Sequence, residues 1–296
     1  MPDPTVIKAA DGYFYVYATE STRNVPIMKS KDLVEWTYCN TAFTNKTRPR
    51  FEPKAGIWAP DINYINGKYV LYYAMSVWGG EQTCGIGVAT ANSPQGPFTD
   101  HGKMFRSNEI GVQNSIDPSL LQYEGRNYLV WGSFRGIYVI ELTADGLSIM
   151  PGAKKKRIAG TAFEAVYIHK HDDYYYMFAS IGSCCQGVKS TYKVVVGRSK
   201  KVWGPYKDKT GKPMLKNGYS LVIGANDHFV GNGHGSQIIQ DDAGQDWLLY
   251  HGFSRSTPEN GRILLLDQIK WDQEGWPYVE GGSPSYETQK APVFNN

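Results

Sequence analysis

Five times along the chain a tight polar turn is followed by a strand-like run dense in aromatic residues. The runs are Tyr13–Tyr17, Tyr69–Tyr73, Tyr128–Trp131, Tyr174–Phe178 and Trp247–Tyr250. The turns before them are Asp11-Gly12, Asn66-Gly67, Glu124-Gly125, Asp172-Asp173 and Ala243-Gly244. Most of these dipeptides supply the positive φ that joins two antiparallel strands. Their second members stand 55, 58, 48 and 71 residues apart. About 50 residues is what a four-stranded blade needs, so the repeat predicts an all-β chain folded as a five-bladed β-propeller around a central channel. The repeat runs from the first residues to about Pro277 without a linker, which makes residues 1–296 a single domain.

In a propeller the first strand of each blade lies nearest the axis, so residues at its start converge on one mouth of the channel. Here these residues are Asp3, Asp61, Asp117, Glu164 and His234, placed 9, 6, 8, 9 and 10 residues before the second residue of their turns. Any one of them alone reads as a strand cap or a turn residue. Recurrence in phase favours a shared site instead. Four carboxyl groups and an imidazole in one small space repel and desolvate one another, which raises some pKa values while others stay ionised. Such a split lets an acid and a base coexist near neutral pH.

Acidic and basic residues are interspersed and the net charge is +3, so neither nucleic acid nor a membrane surface is an expected partner. The one basic run, Lys154–Arg157, follows Pro151-Gly152 and reads as a solvated loop. No run of about 18 apolar residues and no apolar N-terminal signal region is present. The 21 Tyr and 8 Trp suit a carbohydrate partner, since flat rings with a polar handle match sugar faces. Cys39, Cys84 and the adjacent Cys184-Cys185 make no zinc motif. Adjacent cysteines bridge only with strain, so buried free thiols are expected at 184 and 185.

Several ordered segments carry a family resemblance. Asp3-Pro4-Thr5-Val6-Ile7, Trp58-Ala59-Pro60-Asp61, Ser115-Ile116-Asp117-Pro118, Phe163-Glu164-Ala165 and Gly231-Asn232-Gly233-His234, with the tail segments Ile269–Asp272, Gly275–Pro277 and Gly281–Ser285, resemble the signature segments of glycoside hydrolase family 43. The stretch from Cys184-Cys185 through Ser190-Thr191-Tyr192, Val196–Ser199, Gly204-Pro205-Tyr206 and Asp208-Lys209 is similar to the arabinanase branch, which cuts α-1,5-linked arabinan.

The resemblance implies a five-bladed propeller that hydrolyses by single displacement with inversion and requires no cofactor for the chemistry. It makes Asp3 the general base, Glu164 the general acid, and Asp117 the group that orients Glu164 and tunes its pKa. Inversion needs room for a water, so base and acid should stand about 6.5–9.5 Å apart on different blades. It also implies a sugar platform at Trp58, substrate binding or support at Asp61, and a structural calcium ion near the axis at His234. Because calcium prefers oxygen, water would hold most of it. From the expected geometry, Phe134 is a further stacking surface and Asn114, Ser115 and Ser133 are candidate hydroxyl partners.

Two features depart from the family pattern. Only Met1-Pro2 precedes Asp3, where a longer lead is usual, and Val166 stands where the acid motif reads Glu-Ala-Pro, restoring an N–H and backbone freedom beside the acid. A trimmed or fragmentary chain accounts for the first, and a polymeric substrate implies secretion or a periplasmic location. The expectation is a monomeric hydrolase of arabinan or arabino-oligosaccharides, endo-acting rather than exo-acting. Exo-arabinanase, β-xylosidase or α-L-arabinofuranosidase activity and a non-catalytic carbohydrate-binding propeller are the alternatives.

Overall fold

The computed structural model describes residues 1–295. Blade 1 holds β1 (Thr5–Lys8), β2 (Phe14–Tyr17), β3 (Pro26–Ser30) and β4 (Thr37–Thr41). Blade 2 holds β5 (Gly56–Ile65), β6 (Lys68–Ser76), β7 (Gly85–Ala91) and β8 (Thr99–Arg106), and blade 3 holds β9 (Ser119–Tyr123), β10 (Arg126–Trp131), β11 (Ile137–Glu141) and β12 (Lys156–Ala159). Blade 4 is β13 (Glu164–His171), β14 (Tyr174–Ile181), β15 (Lys193–Ser199) and β16 (Ser220–Ile223). Blade 5 is β17 (Phe229–Gly233), β18 (Ile239–Gln240), β19 (Asp246–Ser254), β20 (Arg262–Trp271) and β21 (Pro277–Tyr278). Each blade is an antiparallel sheet taken in chain order, so the five sheets form the expected five-bladed β-propeller. In blade 5 the inner strand is broken: β17 and β18 both pair with β19. Among the described residues, no helix is long and apolar enough to cross a membrane.

The aromatic runs are the second strands, and their burial explains their composition. Every residue of β2 and β19 is buried, because a second strand lies between neighbouring blades and has no solvent face. Tyrosine suits this position because its ring fills the gap between sheets while its hydroxyl reaches a polar group on the far side. Tyr17 donates to the Pro94 carbonyl of blade 2, Tyr72 to Gly146 beyond blade 3's third strand at 2.8 Å, and Tyr176 to Gly275 in blade 5. Between blades 3 and 4, Tyr128 instead packs edge-on against Trp203, with ring centroids 4.6 Å apart.

Blades 5 and 1 meet without exchanging a strand. Two sets of contacts close this seam. At the mouth that holds Asp3, the Met1 amino group donates to the Arg262 carbonyl and Asp3 engages blade 5. At the other end the C-terminal segment folds back. Val293 N–H donates to Asp241 Oδ2 at 3.0 Å, and Phe294 packs on Phe14 with centroids 4.5 Å apart, in a cluster with Val6, Leu33, Trp247 and Leu249. Phe294→Ala should therefore lower the unfolding free energy by about 1–2 kcal/mol, less than a fully buried Phe because its ring is half-exposed. Urea denaturation with an unchanged m-value would check this.

Candidate active site

At the top of each inner strand one residue takes left-handed backbone geometry: Asp3 (φ 52°), Ala59 (φ 41°), Asp117 (φ 55°), Ala165 (φ 53°) and His234 (φ 53°). For residues other than glycine this costs roughly 1–2 kcal/mol, least for Asp and His, which visit the region more readily. In blades 2, 4 and 5 the inner ladder slips at or beside this point. Such a slip re-aims side chains. Asp3, Asp117, Glu164 and His234 all line one pocket of about 750 Å³ at the channel mouth.

Asp3 is surrounded by cationic or protonatable groups from blade 5. Arg262 Nη1 donates to its Oδ1 at 2.8 Å, His234 Nδ1 lies 3.2 Å away, and its backbone N–H donates to His251 Nδ1 at 3.1 Å. Burial alone would raise its pKa. Arg262 first, then His234, outweigh that and hold the carboxyl well below the usual range. His251, fully buried, is pushed well below an ordinary imidazole pKa by desolvation and stays neutral, which suits its Nδ1 accepting a hydrogen bond from the Asp3 backbone N–H. Burial also lowers His234, but the Asp3 carboxylate overrides it and the net shift is upward.

Across the pocket Asp117 and Glu164 form a buried carboxyl pair. Burial, reinforced by mutual repulsion, raises Asp117; burial also raises Glu164 against the opposing effect of the Ser133 and Tyr192 hydroxyls. The pair titrates as a unit and holds a proton above the ordinary carboxylate range, while Asp3 is ionised. Asp117 Oδ2 accepts the Ala165 N–H at 3.2 Å, fixing the backbone beside the acid. Ser133 donates to Glu164 Oε2 at 2.6 Å, and Asn114 Nδ2 donates in turn to Ser133 Oγ at 2.9 Å. Val166 is buried in the core between blades 3 and 4, and its carbonyl accepts the Ser119 hydroxyl at 2.5 Å.

Two expectations are corrected outright, and of the two alternatives for Asp61 the substrate-binding one is set aside. Asp61 is not a pocket residue. It sits two positions beyond the left-handed Ala59, buried in the channel below, where it accepts from Tyr167 (2.6 Å), Leu120 N–H (2.7 Å) and Asn63 (2.6 Å). Burial still raises its pKa to about 6 against those bonds. Ser115 is fully buried, donating to Val112 O at 2.8 Å and accepting from Trp131 Nε1 at 3.0 Å, so no hydroxyl is left for a sugar. Cys184 and Cys185 are joined in a disulfide rather than free, while Cys39 and Cys84 are free thiols. Ser133 and Asn114 remain in the pocket lining, but their hydrogen bonds run toward Glu164.

Sequence spacing did not reveal several pocket groups. Arg262 and His251 reach Asp3 from blade 5, far away in sequence, with no local signal. Trp78, 77% exposed, lies 5.3 Å from Trp58 centroid to centroid, so the two indoles form one aromatic rim. Phe134 also lines the pocket, as does the Cys184–Cys185 bridge. The Cys-Cys dipeptide was visible, but nothing local placed it at the site. The implied calcium fits poorly among the protein donors. His234 offers one nitrogen already beside Asp3, and the carboxylates acting on it are Asp3, Asp117 and Glu164, whereas calcium takes six to eight oxygens.

An ionised carboxylate facing a proton-holding carboxyl pair, beneath an aromatic rim in a five-bladed propeller, is the equipment of a glycoside hydrolase. The family model described as Glycosyl hydrolases family 43 matches residues 1–277, and the chain belongs to that family. It is 37% identical over 290 residues to the extracellular endo-alpha-(1->5)-L-arabinanase 1 of Bacillus subtilis, covering 93% of this chain and 86% of that protein. It is 36% identical over 307 residues to an extracellular exo-alpha-(1->5)-L-arabinofuranosidase of Cellvibrio japonicus, with 94% and 86% covered. The solved alpha-L-arabinanase of Cellvibrio cellulosa, complexed with arabinohexaose, superposes with a TM-score of 0.86 at 33% identity over 95% of this chain and 96% of that one.

Two substitutions separate the limbs of the pH profile. Arg262→Ala removes the strongest influence lowering Asp3, so its pKa rises and the acidic limb of kcat/KM for glycoside hydrolysis moves to higher pH, with the alkaline limb unmoved. Ser133→Ala removes a hydrogen bond that favours ionised Glu164, so the alkaline limb moves to higher pH instead. Initial rates across pH, with melting temperatures as a fold control, check both.

Proposed function

We propose that the chain hydrolyses α-1,5-linked L-arabinan at internal bonds, with inversion at the anomeric carbon. The observation that carries the reading is the charge division of the pocket, with ionised Asp3 on one side and the protonated Asp117–Glu164 pair on the other. Asp3 takes a proton from water as that water attacks the anomeric carbon. Glu164 gives its proton to the leaving glycosidic oxygen, so the aglycone departs neutral. Burial and repulsion between the two carboxyls keep one proton on the Asp117–Glu164 pair for delivery by Glu164, and Asp117 positions the acid through the Ala165 N–H. Ser133, held by Asn114, fixes the rotamer of the acid.

Trp58, Trp78 and Phe134 supply apolar faces for furanose rings. The endo assignment rests on likeness to the Bacillus subtilis relative and on the pocket's lining, which runs from Trp78–Glu81 on one side to Gly182–Gln186 on the other. We take residues 1–296 to act as one monomeric unit outside the cell, by analogy with relatives whose names describe them as extracellular. Any calcium near His234 would be held mainly by water, and no step above is routed through it.

The test is incubation with linear α-1,5-arabinan, resolving products by size and reading the first-formed anomer by NMR. A ladder of arabino-oligosaccharides with inverted configuration is expected. Arabinose alone would make the enzyme exo-acting, and xylose from xylan would move it to a different substrate. Asp3→Ala and Glu164→Ala should each abolish turnover with the fold intact by circular dichroism; a loss of only a few-fold would overturn the assigned roles.

A further inference from the structure

The far ends of β13 and β19 bring together three side chains that the hydrolytic site does not use. His169 and His171 lie two apart on β13 and therefore share a face, and Asp246 opens β19 in the next blade. One ligand atom from each lies within 4.8 Å of the others. His171 Nδ1 is 3.8 Å from Asp246 Oδ2. His171 lies seven positions beyond Glu164 on β13, roughly 20 Å along the strand at about 3.3 Å per residue, so the cluster is remote from the reacting carboxyls.

The surroundings hold these groups as a metal site would. His171 stacks on the Trp271 indole with centroids 3.7 Å apart and planes 5° from parallel, and His169 stacks on the same indole at 6.2 Å. The Trp271 Nε1–H donates to Asp246 Oδ2 at 2.8 Å, and Gln240 Nε2 donates to Oδ1 at 3.2 Å. Asp246 is thus a buried carboxylate held from behind by two donors, the kind of outer support that orients a metal ligand. The remaining nearby acid, Asp172, lies 3.5 Å from His171 Nε2 and is exposed.

We infer that His169, His171 and Asp246 form a binding site for a divalent first-row transition ion of the zinc type, joining blade 4 to blade 5. Two imidazoles and one carboxylate leave a fourth tetrahedral position for water. Zinc sits about 2.0–2.2 Å from such ligands, so the three side chains draw in by less than about an ångström each on binding. The ion bridges the two blades next to the seam where the ring closes. It stabilises the propeller in proportion to its occupancy, because only the folded chain presents all three ligands.

The test uses the full chain stripped with a chelator and titrated with Zn2+ alone. Calorimetry should find one ion per chain at this site, and the melting temperature should rise with Zn2+ concentration. The double variant His169→Gln/His171→Gln should lose both effects while its hydrolytic rate stays that of the parent. Co2+ added to the parent chain should give the intense visible d–d bands of a tetrahedral imidazole site, a readout that needs no variant to fold. Absence of those bands, or binding and melting shifts undiminished in the double variant, would overturn the site.

Discussion

Asp3 joins the first blade to the last. Its backbone N–H, its carboxylate and the neighbouring Met1 amino group all bond to blade 5, through His251, Arg262 and His234. The ring has no strand exchange at this seam, so the contacts that ionise the base are also contacts that close the propeller. Asp3 stands ahead of β1, which begins at Thr5. Here an ion pair within a buried cluster, together with the Thr19 N–H to Pro2 carbonyl bond at 2.9 Å, holds it in place. Assembly of the ring and assembly of the site are therefore one event.

The pocket is polarised across its width. Arg262 and His234 stand on the blade 5 side against Asp3, while Asp117 and Glu164 crowd together on blades 3 and 4 with only hydroxyl and amide donors for company. Desolvation acts on all three carboxyls in the same direction; the neighbours decide the outcome. Below them, Asp61, Thr5, Tyr167 and Gln237 form a second polar layer whose hydrogen bonds tie blades 1, 2, 4 and 5 together through the channel. This layer supports the inner strands without facing the pocket.

The blade count and the aromatic second strands were legible because turns and burial on both faces are local or periodic properties. The positions of Asp3, Asp117, Glu164 and His234 were legible because each precedes the second residue of its turn by a similar number of residues, 9, 8, 9 and 10. Asp61 shows where that counting strained. It lies six residues before its turn glycine while Ala59 lies eight, the same as Asp117, so the register itself held a clue to its depth. Arg262 and His251 were invisible because their partner lies at the other end of the chain. The Cys184–Cys185 bridge was misread for a different reason: general strain arguments cannot say what a particular loop will accommodate.

The left-handed residue that opens each inner strand also defines five equivalent stations around the mouth. Three carry Asp or His, the types that tolerate this backbone best, and the other two carry alanine at Ala59 and Ala165. Chemistry and backbone preference thus select from the same short list of residues. A β-branched side chain at any station would be strained in this backbone conformation. Of the two alanine stations only Ala59 lines the pocket, so Asp or Asn there would add a group to the mouth in a backbone conformation those residues tolerate, whereas Ala165 is buried outside the lining.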